Sequence, residues 1–301
     1  MKKVLRGVIF LVAIAIGGPL LFSGVSSAVE WGSAGKDKIV QSGAILTVAE
    51  SKRLIGKAVV QMPIVKNALA NGMVIIIKGT TNAYVAEEIT GQKPSRAAFV
   101  TGRIEPERGA KNLPQAKAVN HLILEKGKVV DITLPEAVKK LQPGDVVMKG
   151  ANALDYKNKL AAVNILDQSG GTTGITMPFI VARKVHLVIP VGLEKLVAGD
   201  LVAQTLMTRE PLESLPAPSG VKSAAFFPGH MIPTQWLLTG EIVTELEAIK
   251  ILTGATAFQA SAGGISGAEG AVWLVFRGTR DQVKKAVELT RSIQGEPPYS
   301  E

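Results

Sequence analysis

Three short turns in this chain combine glycine with hydroxyl and amide side chains. They are Gly79-Thr80-Thr81-Asn82, Gly150-Ala151-Asn152-Ala153-Leu154-Asp155 and Ser169-Gly170-Gly171-Thr172-Thr173-Gly174. Glycine lets a backbone come close to a ligand, threonine and serine supply hydroxyl donors, and the free amides of a following helix start favour phosphate or carboxylate. One such turn alone reads equally well as a plain strand-to-helix connection. Three together point to an anion cradle, with Gly79, Thr80, Thr81, Asn82, Gly150, Asn152, Gly170, Gly171, Thr172 and Thr173 as its binding residues. Three side chains stand out for reaction chemistry. Glu194, in a Glu-Lys pair after an apolar run, is a carboxylate able to act as a nucleophile or to form a surface ion pair. Asp155 ends the second turn and reads as a carboxylate or a cap. His230 lies in the loop Phe226-Phe227-Pro228-Gly229-His230-Met231, whereas His186 falls in an apolar run and reads as structural.

Other chemistries are missing their residues. Histidines 121, 186 and 230 are too widely spaced for a zinc motif, so no metal is expected. With no cysteine there is neither a disulfide framework nor a thiolate nucleophile. Neither a GxSxG elbow nor a Walker lysine occurs, and no cofactor is expected.

Cradle turns need strands and helices to hold them. Met73 to Lys78 (MVIIIK), Asp145 to Lys149 (DVVMK) and Val185 to Val191 (VHLVIPV) are short β-branched runs of the kind buried in parallel sheets. Residues 47–71 carry Leu54, Ala58, Val65 and Leu69 at helical spacing, split by Pro63. Helices are also predicted at Ala83 to Ile89, Leu134 to Leu141 and Met177 to Arg183, with a further strand at Val119 to Leu124. In a parallel sheet the three turns would gather at the carboxyl edge, where ligands bind. The expected fold is α/β, a mostly parallel sheet with helices on both faces. A small C-terminal α+β subdomain follows, with helices at 244–252 and 280–293 and strands at 256–261 and 271–277.

Of the 301 residues 47% are hydrophobic and 20% charged, a balance that suits a packed globular body and argues against extensive disorder. The net charge of +9 favours anionic ligands, but the cations are scattered among Glu and Asp without aromatic partners, so no nucleic acid is expected. Lys2, Lys3 and Arg6 precede the apolar run Val8 to Ile16, which resumes from Leu20 to Val25 and ends at Ser26-Ser27-Ala28. That order matches a cleaved signal peptide, an uncleaved anchor, or a misassigned start before a cytoplasmic protein. The expected organisation is a signal peptide or anchor at 1–28, a linker at 29–46, an α/β core at 47–210, a Pro-rich connection at 211–239 and the small subdomain at 240–301. The connection rests on five prolines, Pro211, Pro216, Pro218, Pro228 and Pro233. The membrane would be met only through the N-terminal segment. Glycine-rich sheet proteins often associate, so a homo-oligomer is an expectation, with no stripe of residues to mark its interface.

Ile75 to Ile89 (IIIKGTTNAYVAEEI) resembles the first strand, turn and helix of the ribose-phosphate isomerase, glucosamine-phosphate deaminase and CoA-transferase superfamily. Asp145 to Asp155 (DVVMKGANALD) resembles its second glycine turn, and Gly170-Gly171-Thr172-Thr173 with Arg183 to Val197 its third turn and the next strand. The resemblance covers roughly residues 47–300 and implies a ferredoxin-like character for the small subdomain. The isomerases carry paired acids in the second turn, a lysine before the third and a glutamate soon after it. This chain has Lys149, Asn152 and Ala153, then Asp167, then Met177-Pro178 at those places. The phosphate-type turns are kept while the proton-transfer groups are not. Three functional expectations follow. One is an exported or membrane-tethered protein that binds a phosphorylated or carboxylated small molecule. The second is an enzyme, either a transferase using Glu194 or an isomerase with relocated acids, and the third is a structural protein of the cell envelope.

Overall fold

The structure is a computed structural model and describes residues 38–95, 98–101, 104, 119–212 and 233–299. The predicted signal or anchor segment at 1–28 and His230 lie outside the described residues. Strand β1 (Val40–Leu46) alternates, with Val40, Ser42, Ala44 and Leu46 turned inward and Gln41, Gly43 and Ile45 outward. Thr47 then starts α1 (Val48–Val59) with a reciprocal cap, in which its hydroxyl accepts from the Glu50 N–H and Glu50 accepts from the Thr47 N–H. Pro63 opens α2 (Pro63–Asn71) at a position where no N–H is needed. Strand β2 (Met73–Ile76) is buried at every residue and runs through Ile77, Lys78 and Gly79 into α3 (Thr80–Thr90). Strands β3 (Leu122–Glu125) and β4 (Lys128–Val129) form a hairpin around Lys126-Gly127, both at positive φ. Helix α4 (Leu134–Lys140) leads to β5 (Val146–Met148).

A hairpin of β6 (Ala153–Asp155) and β7 (Leu160–Ile165) precedes α5 (Gly171–Ala182) and β8 (His186–Pro190). A single 3₁₀ turn, Leu193–Lys195, is followed by α6 (Leu201–Met207). The chain then forms β9 (Thr234–Leu238), β10 (Glu241–Val243), α7 (Glu245–Thr253), β11 (Thr256–Ala262), β12 (Val272–Gly278) and α8 (Arg280–Ser292). Among the described residues no helix is long and apolar enough to cross a membrane.

The protein is a mixed α/β fold built on a six-stranded sheet of order β10-β8-β5-β2-β3-β4. Its first four strands are parallel, while β3 runs antiparallel to β2 and β4 antiparallel to β3. Two further sheets, β6-β7-β9 and β1-β12-β11, are antiparallel throughout. The main sheet is thus mixed, parallel from β10 to β2 with an antiparallel hairpin at the β4 edge. A buried run of four apolar residues reads alike in either direction, and only the tight turn at Lys126-Gly127 marks β3 and β4 as a hairpin.

The domain limits shift as well. Residues 40–46, read as the end of a linker, pair with β12 along the whole of β1. The small three-stranded sheet thus joins β1, from the N-terminal side, to β11 and β12 from the C-terminal side. Strand β9 lies inside the stretch read as a Pro-rich connection, and β10 joins the main sheet beside β8 instead of the small subdomain.

The central strands β2, β5 and β8 are buried along their length, or nearly so for β8. Helix α1 packs against α3 and α7, and α4 packs against α5. From β2 the chain passes through α3 to β3 on one side, and from β5 it passes through α5 to β8 on the other. The crevice between the carboxyl ends of β2 and β5 is thus a point where successive connections diverge, the usual ligand position in open α/β sheets.

Candidate functional site

At this crevice the first and third glycine turns are each hydrogen-bonded to the end of β5. Asn82, fully buried in the first turn of α3, donates from Nδ2 to the Ile77 carbonyl at 2.8 Å and to the Met148 carbonyl at 3.2 Å. It ties the ends of β2 and β5 together, and its Oδ1 has no hydrogen-bond partner among the described residues. Lys149, the residue after β5, donates from Nζ to the Thr172 hydroxyl at 2.8 Å. The first turn thus meets the end of β5 through Asn82, and the end of β5 meets the third turn through Lys149.

Lys149 is only 4% exposed, and Thr172 is its one hydrogen-bonding side-chain partner among the described residues. Burial draws its pKa down to about 8, so the ammonium is still largely charged at neutral pH. The neighbouring Thr173 hydroxyl is buried and has no hydrogen-bond partner among the described residues. Gly170 opens α5 in the left-handed region at φ 83° and supplies no side-chain cap, and the first amides of a helix have no acceptor within it. A Cβ at Gly79 would meet nothing within 4 Å, so the first turn leaves open space beside its backbone. Asp167 takes the Gly171 N–H at 3.1 Å, which leaves the Thr172 and Thr173 amides of this helix start. With the buried Lys149 and the amide and hydroxyl groups unpartnered among the described residues, they make a cradle suited to a small anion.

His121 closes another side. Its Nδ1 accepts from the Lys78 N–H at 3.0 Å, and Lys78 Nζ donates to the Val119 carbonyl. Burial, followed by the charges of Lys78 and Lys149, lowers the His121 pKa to about 4, so this imidazole is neutral at pH 7.

A second group of charges stands beyond β8 and β10. Glu194, in the 3₁₀ turn, folds back over Gly192, where any side chain would collide with its carboxylate. Both Glu194 carboxylate oxygens are buried with no hydrogen-bond partner among the described residues. Glu245, the fully buried first residue of α7, accepts the Leu193 N–H at 3.0 Å and a bond from the Ser51 side chain. Burial, with the Glu194 charge next, pushes the Glu245 carboxyl up to about 7. Lys52 of α1 is also buried. Desolvation lowers its pKa, and the charges of Glu194 and Glu245 partly offset that. Two carboxyl groups in different environments beside a buried lysine can divide acid and base roles, or leave one as a nucleophile.

Other predicted residues fall elsewhere. Asp155 does not join the crevice. It ends β6 and accepts from the Asn158 N–H at 3.0 Å and from Asn158 Nδ2 at 2.7 Å, closing the β6–β7 turn. Asn152 is held to the same hairpin, its side-chain carbonyl accepting the Asn164 N–H at 3.0 Å. Thr80 and Thr81 occupy the first turn of α3, and Gly150 follows Lys149. His186 is half-exposed, 3.2 Å from Glu241 on the neighbouring strand.

The sequence reading did not single out Lys52, His121 or Glu245 as site residues, and Lys149 entered it only as a departure from a family pattern. A lysine directly after an otherwise apolar strand was the available signal for Lys149. Among the described residues no group of three or more histidine, aspartate or glutamate side chains could hold a metal. The chain matches no protein-family model, no curated protein and no solved structure.

Proposed function

We propose that this chain binds a small phosphorylated or carboxylated molecule in the crevice between β2 and β5. The observation that carries the reading is Lys149, a buried cation whose only hydrogen-bonded side-chain partner among the described residues is a neutral hydroxyl in the first turn of α5. Burying a charge without a counter-charge is costly, and a ligand anion would offset that cost. The first and third turns, each linked to the end of β5, and the divergence of α3 and α5 also support an isomerase/CoA-transferase-like arrangement. The apolar run behind Lys2, Lys3 and Arg6 supports export or tethering, which intact-mass analysis of protein from fractionated cells tests. Calorimetric titration of the folded chain with inorganic phosphate and with acetate tests the binding site. Saturable binding that Lys149→Met weakens at least about tenfold is expected. Binding that the substitution leaves unchanged overturns the reading.

A second reading, group transfer through Glu194, draws on its buried and unpartnered carboxylate beside Lys52 and Glu245. Attack of that carboxylate on an acyl thioester would expel the thiolate and leave a mixed anhydride on Glu194. Hydroxylamine converts such an anhydride to a hydroxamate detectable by peptide mass spectrometry. Treatment with acetyl-CoA and hydroxylamine that marks the wild type but not Glu194→Gln is expected, and an unmarked Glu194 rejects transfer by this route.

A further inference from the structure

A second cavity lies outside the crevice, between the turn that opens α5 and the strand β9. Its volume is about 800 Å³, within the range of small-molecule sites. Trp236 forms one wall. A Cβ at Gly170 would lie 3.1 Å from its ring, so the absence of a side chain there lets the indole rest directly against the α5 turn. Trp236 is 37% exposed, on a strand at the edge of its sheet.

Two polar groups accompany it. Gln235 also lines the cavity. Its Nε2 reaches Asn164 Oδ1 at 3.5 Å, while its Oε1 is buried without a hydrogen-bond partner among the described residues. Arg209 is fixed through Nε to the Thr205 carbonyl at 3.1 Å, and its two Nη groups have no partner among the described residues. The one acid on this wall, Asp167, is engaged by the turn itself. It accepts from the Ser169 hydroxyl and from the N–H groups of Ser169 and Gly171.

An exposed indole face stacks planar rings, a buried amide oxygen selects a ring that carries an N–H or amino donor, and a guanidinium with free Nη groups takes a phosphate or carboxylate. We propose that this cleft binds a planar heteroaromatic anion of the nucleotide class. The ring lies on Trp236, its donor edge meets Gln235, and its anionic group meets Arg209. This site adjoins the crevice, sharing the Ser169-Gly170 end of the α5 turn with it, but Trp236, Gln235 and Arg209 belong to it alone.

The test is calorimetric titration of the full chain with AMP, GMP, CMP and UMP, with the matching nucleosides and inorganic phosphate as controls. Saturable binding of at least one nucleotide is expected, together with quenching of tryptophan fluorescence. Trp236→Leu weakens it at least about tenfold, as loss of a base-stacking platform does. Arg209→Gln weakens the nucleotide but leaves the nucleoside unchanged. Gln235→Leu serves as the second variant, since it keeps the strand packing and removes only the acceptor. No saturable binding of any of the four nucleotides at millimolar concentration overturns the proposal. So does binding indifferent to both Trp236→Leu and Arg209→Gln, or binding lost only in Lys149→Met, which would move the nucleotide to the crevice.

Discussion

Replacing Lys149 by methionine separates stability from binding. The lysine is 4% exposed, and its pKa falls from 10.5 to about 8 through burial alone. A drop of that size means the folded state disfavours the charged amine by roughly 3 kcal/mol at neutral pH. Methionine fills nearly the same length without a charge, and the lost bond to the Thr172 hydroxyl returns about 1 kcal/mol. The variant is therefore expected to be more stable than the wild type by about 2 kcal/mol at pH 7. The sign reverses the usual cost of a core substitution. Between the folded pKa of about 8 and the unfolded value of 10.5, the unfolded chain holds a proton that the folded chain has released. Wild-type stability gains from this residue as pH rises through that window, and the advantage of the variant shrinks with it. Urea denaturation of both proteins at pH 7 and pH 9.5 reads the difference, and phosphate titration of the same samples reads binding. A variant that is less stable at pH 7 and still binds phosphate as the wild type does would refute the reasoning on both counts.

Glu245→Gln gives a matching result in acid. The folded pKa of about 7 lies above the usual 4.5, so this group's contribution is full below pH 4.5 and is lost as pH rises through 7. The glutamine variant should gain up to about 3 kcal/mol over the wild type at pH 8 and nothing at pH 4.5, measured by denaturant titration at both values. Gly192→Ala should cost less than about 1 kcal/mol, because the new methyl meets only the movable end of the Glu194 side chain; calorimetric melting checks this, and the double variant with Glu194→Ala should recover that loss. Asp155→Ala should lower the melting temperature slightly by opening the β6–β7 turn while leaving phosphate binding intact.

The legible parts of this fold are those where chemistry is local. MVIIIK, DVVMK and VHLVIPV announced three strands of the main sheet because their burial on both faces demands unbroken apolar runs. The threonine caps of α1, α4 and α8 likewise sit beside the residues they cap. Strand β1 was hidden because Gln41, Ser42 and Gly43 interrupt its alternation and its partner β12 lies at the other end of the chain. Strand β9 was hidden within a stretch set apart by its prolines.

The site divides the same way. Glycine turns and Glu194 could be read from type and spacing. Lys52 and Glu245 could not, since each sits on an amphipathic helix where a charged residue ordinarily faces water. Only the packing of α1 and α7 against one another and against the ends of β8 and β10 buries them. Asp155 looked alike as a ligand group or a cap until Asn158 was found holding both its oxygens.

The central claim is that Lys149 and the first turns of α3 and α5 form one anion cradle. Amide-resolved NMR titration of the folded chain with inorganic phosphate tests it most directly. Concerted, saturable shifts at Thr80 to Asn82 and at Gly171 to Thr173, abolished by Lys149→Met, are the predicted result. Shifts scattered over exposed lysines, or a cradle unmoved at saturating phosphate, would contradict it.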